Sequence, residues 1–263
     1  VIIDEQHKFG VHQRLSLSKK ANVTPHQLVM TATPIPRSLT MSAYADLDTS
    51  IIDELPPGRQ TIETVALSNA RRDELIEKIK QISKEGRQIY WVCTLIEESE
   101  ALRAESAEKT FAYLSDNLKD LKVVMIHGRL TKSEKEIIMS DFASGKTNLL
   151  VATTVIEVGV NVPNASLMTV ENSERLGLAQ LHQLRGRVGR GSEKSACVLL
   201  YQSPLSQTAK ERLDILRQSN DGFLIAQKDL ELRGPGEILG TQQTGIASMK
   251  IANIVRDAYL LKE

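Results

Sequence analysis

Short apolar runs alternate with amphipathic segments along most of this chain. The runs that predict β-strands cover residues 1–3, 27–30, 51–53, 63–67, 89–93, 123–126, 149–152, 167–170 and 196–200. Between them, the segment 70–85 places Leu75, Ile76, Ile79 and Ile82 on one helical face. Regular alternation of strands and helices is typical of a parallel sheet with helices on both faces. The pattern therefore predicts an α/β fold built on a parallel sheet flanked by helices.

This alternation is interrupted at residues 55–59, Leu-Pro-Pro-Gly-Arg, because consecutive prolines force extended backbone and end helices. The interruption predicts a linker between a short amino-terminal piece and a nearly complete α/β unit that ends near residue 205. Beyond it, the sequence predicts a helix over 206–219, a glycine- and proline-rich loop over 232–245, and a final helix.

Composition narrows the class of protein only slightly. Lys plus Arg and Asp plus Glu both total 33, so overall charge gives no argument for nucleic-acid binding, which must come from local placement. No apolar run approaches the length of a membrane span and no signal-like amino terminus is present, so we expect a cytoplasmic protein without a membrane partner. Cys93 and Cys197 lie in apolar runs without CxxC spacing, which predicts reduced core residues.

The segment Gln183-Leu-Arg-Gly-Arg-Val-Gly-Arg190 has the spacing of an arginine finger. Such arginines neutralise charge that develops on a transferred γ-phosphoryl group. Arg187 and Arg190 would share one face if they lay on a helix, and Gly186 and Gly189 would leave room for a phosphate or a neighbouring domain. A basic turn on a solvated surface is the better interpretation of an isolated RxGR, so the assignment depends on the other motifs.

The apolar run at the start of the chain ends in two carboxylates, Asp4 and Glu5. A buried parallel strand would deliver them to the carboxyl edge of a sheet, Asp4 to hold Mg²⁺ through water and Glu5 to polarise the attacking water. The usual companion, a GxxxxGK[ST] phosphate loop, is absent, since Ser140 replaces the first glycine before Gly145-Lys-Thr147. We therefore expect a piece of a longer protein whose upstream sequence holds that loop.

Hydroxyl groups follow two of the predicted strands. Thr31 and Thr33 could link the acidic site to the neighbouring domain by hydrogen bonds, or Thr33 could simply cap a turn. Thr153 and Thr154 could donate to a nucleic-acid phosphate, while a buried strand with a polar turn explains them equally well. In the residues that follow, Gly159 permits close backbone approach and either Glu157 or Asn161 could face the nucleotide.

Two histidines have open interpretations. His127, Gly128 and Arg129 end a predicted strand before Thr131, a candidate helix cap, so they form either a phosphate site or an ordinary strand-to-helix turn. His182 could be a packing or relay residue, and a metal role is not expected because no second ligand stands in register.

The motifs DEQH, TATP and QLRGRVGR, with the strand-to-glycine segment 151–163, occur in the order expected of superfamily 2 helicases. In more detail, DEQHKFGVHQR, TATPIPRSLTM, WVCTLIEESE and NSERLGLAQLHQLRGRVGRG resemble the RecG family of ATP-dependent DNA helicases. The run 229–245 is similar to that family's translocation motif, which is shared only with the transcription-repair coupling factor. The resemblance covers nearly the whole chain.

This resemblance implies two RecA-like motor lobes with ATP and Mg²⁺ between them, which pump duplex DNA against a wedge domain. The implied partners are branched duplex DNA, at stalled forks and Holliday junctions, and single-stranded DNA-binding protein, for a monomer at the bacterial nucleoid. It implies that residues 1–55 end the first lobe, 56–205 form the second, and 206–263 form a translocation hairpin, loop and final helix.

The resemblance also implies roles for the residues of this chain that match the family's motifs. The hydrolysis and coupling residues are Asp4, Glu5 and His7, with the coupling hydroxyls Thr31 and Thr33. The residues that face the γ-phosphate are Gln183, Arg187 and Arg190. The residues that lock the hairpin are Arg212, Arg233 and Gln243. Asn161 occupies a position that is often Asp in related helicases, so only a hydrogen-bonding role could survive there.

Two other functions remain open. One is the motor of a transcription-repair coupling factor, and the other is a non-hydrolysing module that only docks DNA or a partner. The arginines and the Asp4–Glu5 pair count against such a module, because a scaffold needs neither. We expect the chain alone to be inactive because it lacks the phosphate loop and the wedge.

Overall fold

The computed structural model describes residues 1–4, 25–31, 48–52, 54, 59–94, 100–153, 162–191 and 193–233, and the backbone alone at 100–104 and 233. Two parallel sheets lie in this part of the chain. The smaller one pairs β1 (Ile2–Asp4) with β2 (Leu28–Met30). The larger one contains β3 (Ile62–Ser68), β4 (Gln88–Cys93), β5 (Val123–Ile126), β6 (Leu149–Thr153), β7 (Ala165–Val170) and β8 (Ser195–Tyr201).

Six α-helices accompany the larger sheet in the described residues. They are α1 (Arg72–Lys84), α2 (Glu100–Asn117), α3 (Lys132–Ala143), α4 (Leu178–Arg185), α5 (Gln207–Gln218) and α6 (Gly222–Arg233). Buried residues of α1 and α2 pack on one face of the sheet, and those of α3 to α6 pack on the other. The predicted parallel sheet with helices on both faces is confirmed. None of the described helices is long and apolar enough to cross a membrane.

The strand order β3-β8-β7-β4-β6-β5 explains why both faces are covered. The chain moves one way along the sheet from β3 through β4 to β5, and then returns through β6 and β7 to β8. Right-handed crossovers place the connecting helices of the two directions on opposite faces. β4 and β7 are neighbours whose outgoing connections diverge, so the topological switch point lies between them.

The central strand β4 shows how the apolar pattern becomes the core. All six of its residues are buried, as expected for a parallel strand covered on both faces. Trp91 packs with α1 and α2, and Tyr90 packs on the opposite face against Phe142 at 4.9 Å between ring centroids. Cys93 and Cys197 are free and buried, as predicted, and burial raises the pKa of Cys197 to about 12.

Two predictions of secondary structure need correction. Ile51 and Ile52 are 43% and 89% exposed and form no strand, because no neighbouring strand pairs with them among the described residues. Helix α6 begins at Gly222, in a segment where the sequence pattern predicts no helix. Its start is capped by Asp221, whose carboxylate accepts from the Phe223 backbone N–H at 2.8 Å, while Ile225 and Leu230 are buried.

Candidate nucleotide and nucleic-acid sites

The loop between α4 and β8, residues 186–191, carries Arg187 and Arg190 at the amino edge of the sheet. It lies against the first residues of β3 and β8, since a Cβ on Gly189 would approach Ile62 and Ser195. Arg187 and Arg190 do not lie on a helix, because α4 ends at Arg185, so the condition for a shared helical face is not met. Gly189 has φ +73°, a left-handed conformation that turns the chain away from the helix.

The loop glycines have packing roles. A Cβ on Gly189 would lie 2.9 Å from Ile62 Cγ1, and one on Gly191 would lie 2.7 Å from the Pro163 carbonyl oxygen. The space beside Gly189 is therefore filled by Ile62, which corrects the expectation that it leaves room for a phosphate. At Gly186 a Cβ would meet only ordinary contacts, at 3.5 Å from two backbone oxygens.

Arginine side chains dominate the electrostatics of this loop. Arg190 Nε donates to the Gly186 carbonyl oxygen at 3.4 Å, and Arg59 Nη2 donates to the same oxygen at 3.4 Å. Burial, and then the nearby charges of Arg187 and Arg59, lower the pKa of Arg190. Gln183 and Arg190 are exposed and Arg187 is half-buried, so the loop can present positive charge to an anionic ligand.

Arg185, the last residue of α4, has a different environment from the two arginines that follow. Only 2% of it is exposed, and its Nη1 donates to the backbone oxygens of Leu216 and Ser219, both at 2.8 Å. The guanidinium thus binds the carboxyl end of α5 and joins the arginine loop to the α5–α6 pair. The sequence did not single out Arg185, because its partners lie 31 and 34 residues further along the chain.

His182 lies beside this buried guanidinium, with its Nδ1 3.1 Å from Arg185 Nη2. Burial, and then the charges of Arg185 and Arg59, lower the pKa of His182 to about 4. The imidazole is therefore neutral at pH 7 and can accept a hydrogen bond from Arg185. This packing agrees with one of the two interpretations that the sequence left open.

Arg212 of α5 makes a second set of hydrogen bonds across the lobe. Its Nη1 and Nη2 donate to the backbone oxygens of Leu176 and Glu174, at 2.8 and 2.9 Å. These carbonyls lie at the short turn that joins β7 to α4, so Arg212 fixes α5 against the segment that leads to the arginine loop. Arg233 ends α6, with only its backbone described, and Gln243 lies outside the described residues.

The carboxyl edge of the sheet carries the other predicted residues. Ile126 pairs with Ala152, so His127 and Thr153 follow at the ends of adjacent strands. The next helix, α3, is closed by a capping box in which Thr131 and Glu134 each accept from the other's backbone. A carboxylate thus already occupies this helix end, and a phosphate would have to rely on Arg129, which is exposed, and on Gly128.

An ion pair between half-buried Arg72 and buried Glu171 stabilises the switch point at this edge. Arg72 Nη2 lies 2.6 Å from Glu171 Oε1, and the same guanidinium lies over the rings of Trp91 and Tyr113, at 5.0 and 4.6 Å. Thr94 Oγ1 donates to the Glu171 carbonyl oxygen. The network joins the carboxyl ends of β4 and β7. No sequence pattern predicts it, because an Arg and a Glu 99 positions apart form no motif.

The smaller sheet carries Asp4 and Thr31. Asp4 is the exposed last residue of β1 and pairs with Met30, so Thr31 follows at the same edge. Only Ile3 of this strand is buried, whereas Ile2 is 71% exposed, which corrects the expectation of a fully buried strand. The described residues contain no cluster of potential metal ligands. The predicted residues outside the described part are Glu5, His7, Thr33, Thr154, Glu157, Gly159, Asn161 and Gln243.

A parallel sheet with helices on both faces and an arginine loop at one edge is the architecture of a helicase carboxyl-terminal lobe. Residues 70–192 match the family model described as "Helicase conserved C-terminal domain", and 219–263 match "ATP-dependent DNA helicase RecG, domain 3, C-terminal". The chain belongs to the RecG family. It is 62% identical to "ATP-dependent DNA helicase RecG" of Escherichia coli K12 over 267 residues and 46% identical to that of Bacillus subtilis over 263.

In both relatives the match covers all of this chain and 38% of the relative. Among solved structures, "Structure of RecG bound to three-way DNA junction" has a TM-score of 0.75 at 43% identity, covering 99% of this chain and 33% of that one. Yeast Dbp5 bound to RNA and ADP BeF3 has a TM-score of 0.57 at 15% identity, covering 84% and 56%, and supports the fold alone.

Proposed function

We propose that this chain is the carboxyl-terminal motor part of an ATP-dependent double-stranded DNA translocase that remodels stalled replication forks and Holliday junctions. The observation that carries the proposal is the loop at the amino edge of the sheet, where Arg187 and Arg190 follow the tightly held Arg185. Membership of the RecG family supports it, as does a RecG relative whose structure holds a three-way DNA junction.

Within this proposal, residues 1–55 end the first motor lobe, 56–205 form the second, and 206–263 form the hairpin, loop and final helix that translocate DNA. ATP and Mg²⁺ would bind between the lobes. Asp4, the exposed carboxylate at the end of β1, would hold the ion through water, which fits the preference of Mg²⁺ for oxygen ligands and retained water. The ion would neutralise charge on the β- and γ-phosphates.

The nucleotide-site residues then divide by role. Glu5 orients the attacking water, while His7 couples the site to the DNA groove. Gln183, Arg187 and Arg190 contact the γ-phosphate and stabilise charge that develops in the transition state. Such an arginine contributes about 10³–10⁵-fold to turnover in related phosphoryl transfer. The remaining candidates, Gly159 and Asn161, approach the nucleotide from the second lobe.

The proposed DNA contacts of the larger sheet belong to its carboxyl edge, opposite the arginine loop. Thr31 and Thr33 couple the acidic site to the strand groove. The proposed phosphate contacts, which position DNA without reading its sequence, are His127, Gly128, Arg129, Thr153 and Thr154. Because the arginine loop and the DNA-phosphate candidates of the larger sheet lie at opposite edges, a change at one must cross the lobe to reach the other.

The route across the lobe runs through α5 and α6. Arg185 holds the carboxyl end of α5 at 2.8 Å, and Arg212 holds the turn before α4. A displacement of the arginine loop on hydrolysis would move the helix pair with it, and Arg233 and Gln243 would pass that movement to the DNA.

We also propose that the protein acts as a monomer in the bacterial cytoplasm at the nucleoid, with single-stranded DNA-binding protein as a further partner.

The test is Arg190→Ala in the intact protein, with ATP turnover and junction binding measured on the same preparation. We expect DNA-stimulated turnover to fall about 10³-fold or more, with Kd for a three-way junction nearly unchanged. Arg217→Ala is the control, because Arg217 pairs with Asp214 on the surface of α5. Normal turnover with lost junction binding would instead place the loop in a DNA groove and favour a non-hydrolysing module.

A further inference from the structure

Four arginines lie at or beside the amino edge of the larger sheet. Arg59 precedes β3, Arg87 precedes β4, and Arg187 and Arg190 precede β8. Arg87 is neutralised, because its guanidinium lies 3.2 Å from a Glu85 carboxylate oxygen and 3.0 Å from one of Glu193. Within the described residues, no carboxylate forms an ion pair with any of the other three. Among the described residues, this edge therefore holds one arginine that forms ion pairs and three that form none.

The uncompensated charges are close together. Arg59 Nη2 and Arg190 Nε each lie 3.4 Å from the Gly186 carbonyl oxygen, so these two nitrogens are no more than 6.8 Å apart. Like charges at this separation repel one another, and the effect is stronger in a partly buried site than in water. In agreement, the charges of Arg187 and Arg59 both lower the pKa of Arg190, after the larger effect of its burial.

Converging guanidiniums without a carboxylate form a site for an anion with several charges, and phosphate oxygens match guanidinium geometry. Two sources of phosphate exist for this protein, the nucleotide and the DNA backbone. The position favours the nucleotide, because Arg59 shares the Gly186 oxygen with Arg190, whereas the predicted DNA-phosphate residues of the larger sheet lie at its opposite edge. We propose that Arg59 is a third phosphate-binding arginine of the nucleotide site, which extends the proposed function above and rests on it.

The competing role for Arg59 is to hold the loop through its hydrogen bond to the Gly186 oxygen. Arg59→Gln separates the two roles, because the amide keeps a donor for that oxygen and removes the charge. If Arg59 binds phosphate, nucleotide binding should weaken in both Arg59→Ala and Arg59→Gln. If Arg59 only positions the loop, nucleotide binding should weaken in Arg59→Ala and remain normal in Arg59→Gln. Arg87→Ala is the matched control, since Arg87 occupies the same edge but is already paired.

The experiment measures KM for ATP in DNA-stimulated hydrolysis, Kd for a non-hydrolysable ATP analogue, and Kd for a three-way junction, in the intact protein. We expect Arg59→Ala and Arg59→Gln to raise KM and the analogue Kd about 10–100-fold, as for the loss of a charge-assisted hydrogen bond. Junction binding should be unchanged, and Arg87→Ala should stay within about twofold of the parent, as for an exposed ion pair.

Rescue by Gln, nucleotide constants within twofold of the parent in both variants, or weaker junction binding with normal nucleotide constants would each overturn the assignment. Arg190→Ala, measured in parallel, separates this inference from the proposed function. If Arg190→Ala abolishes turnover and the Arg59 variants do nothing, only the role of Arg59 fails. If neither position affects nucleotide binding or turnover, the placement of ATP at this loop fails as well.

Discussion

Replacing Arg185 by Met removes the guanidinium that joins α4 to the end of α5. The side chain is 2% exposed, and its Nη1 reaches two backbone oxygens at 2.8 Å. A third and weaker contact runs from the same nitrogen to Thr64 Oγ1, at 3.4 Å. Met fills a similar elongated volume but cannot donate, so the carbonyls of Leu216 and Ser219 lose their charged partner.

The expected cost follows from these two bonds. Hydrogen bonds to a charged group are worth about 1.5–3 kcal/mol each, and removing one partner leaves the other unpaired. Part of this loss is offset because a buried guanidinium, whose pKa is lowered by burial, is itself costly to desolvate. We therefore expect Arg185→Met to reduce the free energy of unfolding by about 3 kcal/mol, towards the lower end of the summed range.

The assay is urea denaturation of the 263-residue chain followed by the fluorescence of Trp91, its single tryptophan, which is fully buried. Arg217→Met on the neighbouring turn of α5 is the control and should cost no more than about 0.5 kcal/mol, as an exposed pair does. A loss below about 1 kcal/mol for Arg185→Met would contradict this expectation, because a buried and a part-buried carbonyl would then have lost their charged partner with almost no effect on stability.

Further predictions concern the pH dependence of stability, the backbone at Gly189 and the hydrogen bonds of Arg212. The pKa of His182 is lowered to about 4 from an ordinary 6.5. The contribution of neutral His182 to the free energy of unfolding is therefore fully present above pH 6.5 and is lost as pH falls from 6.5 towards 4. The loss should be about 2–3 kcal/mol, and His182→Gln should flatten that part of the stability profile in urea titrations. Gly189→Ala should lower the free energy of unfolding by about 1 kcal/mol more than Gly145→Ala in the same titrations. The two glycines have similar φ values, +73° and +77°, but only a Cβ at Gly189 would approach a neighbour, Ile62. Arg212→Ala should cost about 2–3 kcal/mol, and Arg212→Lys should recover less than half, since one ammonium cannot replace a guanidinium that spans the Leu176 and Glu174 oxygens.

Much of the fold could be predicted, because a strand that is buried on both faces of a sheet is apolar at consecutive positions of the sequence. The apolar run in β4 is buried at every position, and the stripe of Leu75, Ile76 and Ile79 is the buried side of α1. The strand predicted at 51–53 also begins with apolar residues, but Ile51 and Ile52 are exposed and have no pairing partner in the described structure.

The site shows where such patterns stop being informative. Arg185, Arg187 and Arg190 are identical residues in one motif, yet the first is buried against α5 and the other two lie in the loop. Tertiary contacts with residues more than 30 positions away decide this difference. Arg59 lies 127 positions from Gly186, and Arg72 pairs with a distant Glu171, so neither could be read from local spacing.

The most direct test of the account is a structure of the intact protein with a three-way DNA junction and a transition-state analogue of ATP. We predict the guanidinium groups of Arg187 and Arg190 at hydrogen-bond distance, about 2.7–2.9 Å, from the oxygens that stand for the γ-phosphate. The DNA backbone should lie at the carboxyl edge of the larger sheet, near Arg129 and Thr153. An analogue bound away from the arginine loop, or a DNA phosphate held by Arg187 and Arg190, would contradict the account.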